Sequence, residues 1–278
     1  MANSLVRSTV QEILRERVSL RQYAERPIKD EDKKAIIEAA MRAPTAGNMM
    51  MYSMIIVSDQ DLKQRLSETC DHQPFIAKAP LVIVFFADLQ RWFDYYNDSG
   101  VKEFCNDQGM DFTGPDEADL LLASSDALIA AQNTVISAEA LGIGSCYIGD
   151  IMENYEIHKE LFNLSPYVFP ISMLCYGYYS QDERPKPRER FDSQFIVSEN
   201  KYNRLTEKER EAMFSHRAKG FNPQNSIGAK NIGQWIYARK TGADFSAEMA
   251  RSVRIAMNHW RGESLVHHEG GTMCTKCL

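Results

Sequence analysis

The sequence predicts an α+β protein, a mixed central sheet with helices on both faces followed by a helical C-terminal extension. Three observations carry this. The unbroken apolar run Leu81 to Ala87 reads as a central strand buried on both faces. Strand-like and helix-like segments alternate as far as about Tyr178. Beyond that point only polar helices with narrow apolar stripes remain.

Each element follows from a local pattern. Asp30 to Arg42 is a helix, with Asp30 as its cap and Ile36, Ile37 and Ala40 on one face. Ala43-Pro44-Thr45-Ala46-Gly47-Asn48 breaks it. Met54 to Ser58 is a short β-branched strand, and Asp59 to Thr69 a helix opened by an acidic turn. After the central strand, Arg91 to Asp116 is a polar, aromatic excursion that reads as a helical lid. Glu117 to Leu141 is the longest helix. It is apolar nearly all round, so it belongs in a core or at a dimer interface, and Gly142 ends it. Ser145 to Gly149 and Ile171 to Tyr178 are two further strands, and Asp182 to Arg190 is irregular. Thr206 to Arg217, Lys230 to Lys240 and Phe245 to Trp260 are the helices of the extension.

Composition bounds the function. With 278 residues, 44% hydrophobic and 25% charged, the chain is an ordinary globular protein rather than a disordered one. That length allows roughly two domains of about 150 residues. The run Leu81 to Ala87 is far short of the about 20 residues a membrane span needs. Met1 to Ser19 has arginines but no apolar core, so no secretory signal is read there, and the expected compartment is the cytoplasm. The net charge of -6 is uneven. Residues 1–182 carry 15 Lys and Arg against 27 Asp and Glu, and residues 183–278 carry 17 against 11. An acidic body repels a polyanion, so nucleic acid is not an expected partner, and with so short an apolar run neither is a membrane. The basic third suits small phosphates.

Several chemistries lack their motif. There is no P-loop, no H-E-x-x-H and no G-x-S-x-G elbow. Gly142-Ile143-Gly144 follows a helix and precedes a strand, the reverse of a dinucleotide fingerprint. Cys70, Cys105 and Cys175 are isolated and suit a reducing compartment. Cys146 reads as packing. No resident metal is expected. The tail holding His267, His268, Cys274 and Cys277 has zinc-ligand residue types in tight spacing, and it reads as a mobile end with metal binding or a disulfide as the alternative.

What is present is cationic. Arg17-Val18-Ser19-Leu20-Arg21 sets two guanidinium groups four residues apart around a hydroxyl, a pattern that suits one phosphate and equally a solvated turn. Lys186-Pro187-Arg188 adds two cations on a stiff backbone. In order, Arg17-x-Ser19-x-Arg21-x-Tyr23, the Ala43 to Asn48 segment, Gln73-x-Phe75-Ile76 and the run Ala138 to Gly149 precede Tyr176-Gly177-Tyr178 and Lys186-Pro187-Arg188. This series resembles the FMN-dependent nitroreductase family, and most of all its NADPH-preferring flavin reductase and nitroreductase subgroup. The likeness covers about residues 15–202. One departure stands out: Asn48 is followed by Met49-Met50-Met51 where many members have Gln and Pro.

The resemblance implies a nitroreductase-like homodimer with FMN at the subunit interface. Residues 1–202 form the FMN-binding domain, 203–261 its helical extension and 262–278 the tail. It implies that Arg17, Val18, Ser19, Leu20, Arg21 and Arg188 hold the phosphate and ribityl chain. Gln73 and Lys186 approach the ring, and Lys186 stabilises charge on it. Tyr147, Ile148, Gly149 and Asp150 line one ring face, and Ala46, Gly47 and Asn48 border it from the partner subunit. The flavin carries the chemistry, so no further catalytic residue is expected. The implied reaction is ping-pong hydride transfer from NADPH (or NADH) to a nitroaromatic, quinone or similar small acceptor, with Arg217 and Lys219 as partners of the donor's 2′-phosphate. A same-fold reductive dehalogenase or flavin-modifying enzyme, or a flavin-binding sensor without turnover, are the alternative readings. Trp92, Phe93, Tyr95, Tyr96 and Phe104 either cover the flavin or simply pack the excursion onto the body.

Overall fold

The structure is a computed structural model that describes residues 10–180 and 185–262. Among the described residues four strands form one sheet, in the order β1-β2-β4-β3. They are β1 (Tyr52–Val57), β2 (Leu81–Asp88), β3 (Ile143–Ile148) and β4 (Val168–Tyr178). All three ladders are antiparallel, with a register shift at Phe85/Phe86. The mixed character expected of the sheet enters through a single parallel bridge, Ser19 to Ser145, at the outer edge of β3.

The absence of alternation in β2 has the expected cause. Every residue of the strand is buried, and its side chains divide between two cores. Val82, Val84 and Phe86 pack on one face with Leu66 and Cys70 of helix α2 (Gln60–Thr69) and with Ile151. Leu81, Ile83 and Phe85 pack on the other with Ile36 of helix α1 (Asp30–Met41) and with Ala131, Val135 and Ala138 of the long helix. Truncating a fully buried Phe such as Phe85 to Ala costs about 3–5 kcal/mol.

Asp30 does not cap α1. Lys29 holds the cap position without a side-chain bond, and the Asp30 carboxylate instead accepts from Lys33 Nζ at 2.9 Å. With Glu31 and Asp32 it makes an acidic first turn that favours the positive helix end. Asp59 does cap α2, accepting from Leu62 N–H at 2.7 Å.

The segment after β2 forms helices α3 (Gln90–Asp98) and α4 (Val101–Gln108). Helix α5 (Glu117–Ala140) follows, opened by a capping box on Asp116. By length and composition α5 could cross a membrane, but its alanine stripe is buried against the sheet. Its other side leaves Leu121, Leu122, Leu128 and Ile129 exposed. Helix α6 is Tyr155–Leu161, and the extension holds α7 (Glu207–Lys219), α8 (Ile232–Arg239) and α9 (Asp244–Trp260). Helix α9 docks on α6 and the turn before it. Arg251 is bidentate to Glu156 (2.7 and 2.9 Å), Ser252 Oγ accepts from Tyr155 N–H, and buried Trp260 donates to Asp116 O.

Candidate active site

Residues 17–24 run against the open side of β3 and the end of β4. Leu20 N–H donates to Ser145 O at 2.9 Å and Ala24 N–H to Tyr178 O at 3.0 Å. The approach is close because Gly144 and Gly177 are register partners. A Cβ on Gly144 would lie 2.7 Å from Leu20, and one on Gly177 would lie 2.4 Å from Tyr23. The two facing glycines leave the trough in which the segment lies. Extended backbone then sorts its side chains by alternation: Val18 and Leu20 are buried, whereas Arg17, Ser19 and Arg21 face outward.

Those three outward residues line a cavity of about 470 Å³, with Lys186, Arg188 and Arg190 on its other wall. Five cations therefore face one space, and among the described residues no carboxylate lines it. Arginine forks with a hydroxyl between them are the donor set for a phosphate group. Burial pushes the Cys146 thiol up, while Arg21, Arg17 and a hydrogen bond with Ser19 pull it back. The thiol is buried and remains protonated.

The other end of β3 differs in chemistry. Gly149 follows the strand, and a Cβ placed on it would meet nothing within 4 Å, so open space borders the backbone there. Asp150 starts a short 3-10 turn, Asp150–Met152. The Gln73 side chain donates to Asp150 Oδ2 at 2.8 Å and to Cys70 O at 2.9 Å. Two residues on, the Phe75 ring lies under the Arg21 guanidinium at 5.8 Å. Gln73 thus joins the glycine turn to the cationic segment. Tyr147 donates to Gln132 at 3.3 Å, and burial pushes its hydroxyl up.

Glu153, at the end of this turn, is buried with 4% exposure. One carboxyl oxygen, Oε1, is buried with no hydrogen-bond partner among the described residues. Burial first, then the charges of Asp150, Asp71 and Glu248, push Glu153 up to about 8. Next to it, His158 is fully buried between Ile151 O (2.9 Å) and Thr69 Oγ1 (2.8 Å), and burial lowers it to about 4.

The structure therefore gathers Arg17, Ser19, Arg21, Lys186 and Arg188 in one cavity, and Gln73 with Asp150 beside Gly149. Ala46, Gly47 and Asn48 lie elsewhere. They form a 3-10 turn leading into β1, whereas β1 and β3 are the two outer strands of the sheet. Buried Asp126 of α5 fixes that turn, accepting from Ala46 N–H at 2.9 Å and Met51 N–H at 3.2 Å. It is needed because Gly47, Asn48 and Met50 all have left-handed backbone, with φ of 55°, 57° and 51°. The Met run packs with Trp92, whose indole donates to Met49 O at 2.8 Å, and Phe93 stacks on Phe112 and meets Tyr167 edge-on. Tyr95 and Phe104 are exposed.

Arg217 lies 4.0 Å over the Phe191 ring, just past the Arg188 and Arg190 loop. Lys219 ends α7 exposed. His267, His268, Cys274 and Cys277 lie outside the described residues. Sequence reasoning missed Asp126, Glu153 and Arg190. A lone Asp inside an apolar helix was a usable signal for the first, and an arginine-rich loop for the last.

An antiparallel sheet between two helical layers, with a cation-lined cavity where an arginine segment meets its edge, defines an α+β protein whose cavity suits a phosphate-bearing ligand. The model of the Nitroreductase family matches residues 14–178, and the chain belongs to that family. It is similar to a Cr(VI) reductase from Pseudomonas sp. strain G-1, with 31% identity over 87% of this chain and 93% of that protein. It is 30% identical to an FMN reductase (NADPH) from Bacillus subtilis, over 74% of this chain and 79% of that one. The solved nitroreductase A from Vibrio parahaemolyticus superposes with a TM-score of 0.74 at 20% identity, covering 90% of this chain and 97% of that structure.

Proposed function

We propose that this protein is an FMN-dependent NAD(P)H oxidoreductase that passes reducing equivalents to small acceptors such as quinones and nitroaromatics, in a ping-pong sequence. The observation that carries this is the cationic cavity. Arg17, Arg21, Lys186, Arg188 and Arg190 face one space, and Ser19 supplies a hydroxyl between two of them. That donor set fits a ribityl phosphate, and the open space before Gly149 fits a flat ring laid against backbone. When bound, FMN supplies the hydride chemistry.

The chain's own residues do the rest. Arg17, Arg21 and Arg188 hold the phosphate, and their charge concentrates anionic ligands at a protein that is acidic overall. Lys186 offers a cation where negative charge develops on reduction. Backbone at Tyr147–Asp150 forms one wall, and Gln73 stands on its rim. Arg217 and Lys219 serve the donor's 2′-phosphate. We assign the second copy to the exposed apolar face of α5, where Leu121 is 70% exposed, because a patch of that kind is an association surface. A partner would also bring its Ala46–Asn48 turn, which the sheet holds away from this chain's own cavity. The four described cysteines are free and buried, which suits the cytoplasm.

The test is direct. The full chain, purified and titrated with FMN, is expected to bind it with quenched flavin fluorescence, and then to oxidise NADPH in the presence of a quinone. A chain that takes up no FMN overturns the reading. Flavin bound without turnover makes it a sensor instead.

A further inference from the structure

Past the last turn of α7 the chain makes a loop, Gly220 to Asn231, that none of the chemistry above uses. Its shape is fixed from within. Asn225 clamps Ala229 across the loop, accepting from its N–H at 2.9 Å and donating to its carbonyl at 2.7 Å. Asn222 accepts from Gln224 N–H at 2.9 Å, and Gly228 supplies a left-handed residue with φ of 68°. Asn231 then caps α8 by accepting from Gln234 N–H at 2.9 Å. Ile232 and Trp235, three residues apart at the start of that helix, share a face. With Phe221, Gln224 and Ser226 of the loop they line a cavity of about 360 Å³. That is the small end of the range for ligand sites, about 300–1,000 Å³.

The chemistry of this cavity is that of a receptor for a flat heteroaromatic ring. Phe221 and Trp235 offer aromatic surface, on which a nucleobase stacks. Arg239, which does not line the cavity, lies over the indole at 4.9 Å and steadies it. Asn222 and Asn225 are spent on the loop itself, whereas the Gln224 amide and the Ser226 hydroxyl bond to no other group among the described residues. A glutamine amide sets a donor beside an acceptor, which matches the N6 and N7 edge of adenine.

The position of the cavity points to the rest of the ligand. Gly220 follows Lys219 directly and Arg217 by three residues, about 4.5 Å of helix rise. Arg217 lies 4.0 Å over the Phe191 ring, and Phe191 follows Arg190 of the cationic cavity. One series of neighbours therefore runs from the cationic cavity to the aromatic one, with two cations at the near end of the latter. We propose that the aromatic cavity takes the adenine ring of the nicotinamide donor, stacked on Trp235 and Phe221 and read along its edge by Gln224, with Arg217 and Lys219 at the 2′-phosphate beside it. Naming the donor rests on the function proposed above; adenine recognition does not.

The experiment titrates the full chain with adenosine 2′-monophosphate by calorimetry, with inosine 2′-monophosphate and inorganic phosphate as comparison probes. The adenosine nucleotide is expected to bind more tightly than the inosine one, whose C6 oxygen accepts where the adenine N6 donates. Trp235→Ala should weaken it roughly 5- to 100-fold, the loss expected for one stacked base, and Trp235→Phe should recover most of that affinity. Gln224→Ala, at an exposed loop position, should erase the preference for adenine. In steady state Trp235→Ala should raise KM for NADPH and NADH alike, since both carry adenine, whereas Arg217→Ala raises it for NADPH alone. Equal affinity for adenosine 2′-monophosphate and inorganic phosphate, or wild-type affinity in Trp235→Ala, overturns the base site. An adenine preference that survives Gln224→Ala overturns the edge reading, and this variant decides the site if Trp235→Ala fails to fold. Adenine-selective binding by a chain that takes up no FMN overturns the functional reading and leaves the base site standing. FMN-dependent turnover without adenine selectivity overturns the base site alone.

Discussion

The two ends of β3 hold opposite kinds of charge, and they do so by opposite physics. Near its start, Ser145 pairs with an edge segment that contributes two arginines to an open cavity, where the cations stay solvated until an anion arrives. Past its end, Glu153 sits buried in a turn where burial and the charges of Asp150, Asp71 and Glu248 push its carboxyl up. An exposed cation costs little to keep and gains when a phosphate displaces its water. A buried acid is costly to ionise, so it is kept neutral. One end binds, and at the other Asp150 positions Gln73. The predictions test that division, from the largest effect to the smallest.

The largest effect lies outside both ends, at Asp126. Its carboxylate satisfies the buried Met51 N–H and the half-buried Ala46 N–H of a loop with three left-handed residues. Asp126→Ala leaves both donors unpaired and should cost roughly 2–5 kcal/mol, because each orphaned buried donor costs about 1–3 kcal/mol. The expected result is a large drop in the urea midpoint together with protease cutting near 46–51. A variant as stable as wild type would mean that the turn holds itself.

At the binding end, Arg21→Ala and Arg188→Ala should each weaken FMN by roughly 10–100-fold, from about 1.5–3 kcal/mol per charged hydrogen bond. The loss should shrink for riboflavin, which lacks the phosphate, and each variant should show a shallower loss of FMN binding with added salt than the wild type, without a change in stability. Equal losses for FMN and riboflavin would move these arginines away from the phosphate.

How much of this was legible beforehand follows the same division. Arg17, Ser19 and Arg21 were readable because their chemistry is their residue type and their spacing is a strand's. Burial of Leu81–Asp88 was readable from its unbroken apolar run. Glu153 was not. In Glu153-Asn154-Tyr155-Glu156 it looks like a surface acid, and its burial depends on α9, whose Glu248 accepts from Asn154 N–H at 3.1 Å across nearly a hundred residues. Asp30 failed as a cap for a local reason: Lys29 already has the extended backbone of the cap position. Met49 to Met51 read as a gap in a pattern, yet the backbone there is held as tightly as anywhere nearby, by Asp126, by Trp92 and by Arg91 on Met50 O. Sequence carries side-chain chemistry well and long-range burial poorly.

The smallest predicted effect concerns Arg217, which lies against the Phe191 ring beside the cationic loop. Stacking on an aromatic face keeps a guanidinium charged and oriented while its edges stay free for an anion. If it meets the 2′-phosphate of NADPH, Arg217→Ala should raise KM for NADPH several-fold and leave KM for NADH and both kcat values near wild type. Arg217→Lys should recover part of the loss, since the charge survives and the planar fork does not. Phe191→Leu should behave as a milder Arg217→Ala, because it removes the platform but not the cation. An unchanged NADPH to NADH ratio in Arg217→Ala would make the contact a packing feature of α7, and selectivity for the phosphorylated donor would then fall to Lys219 or to the cavity's own arginines.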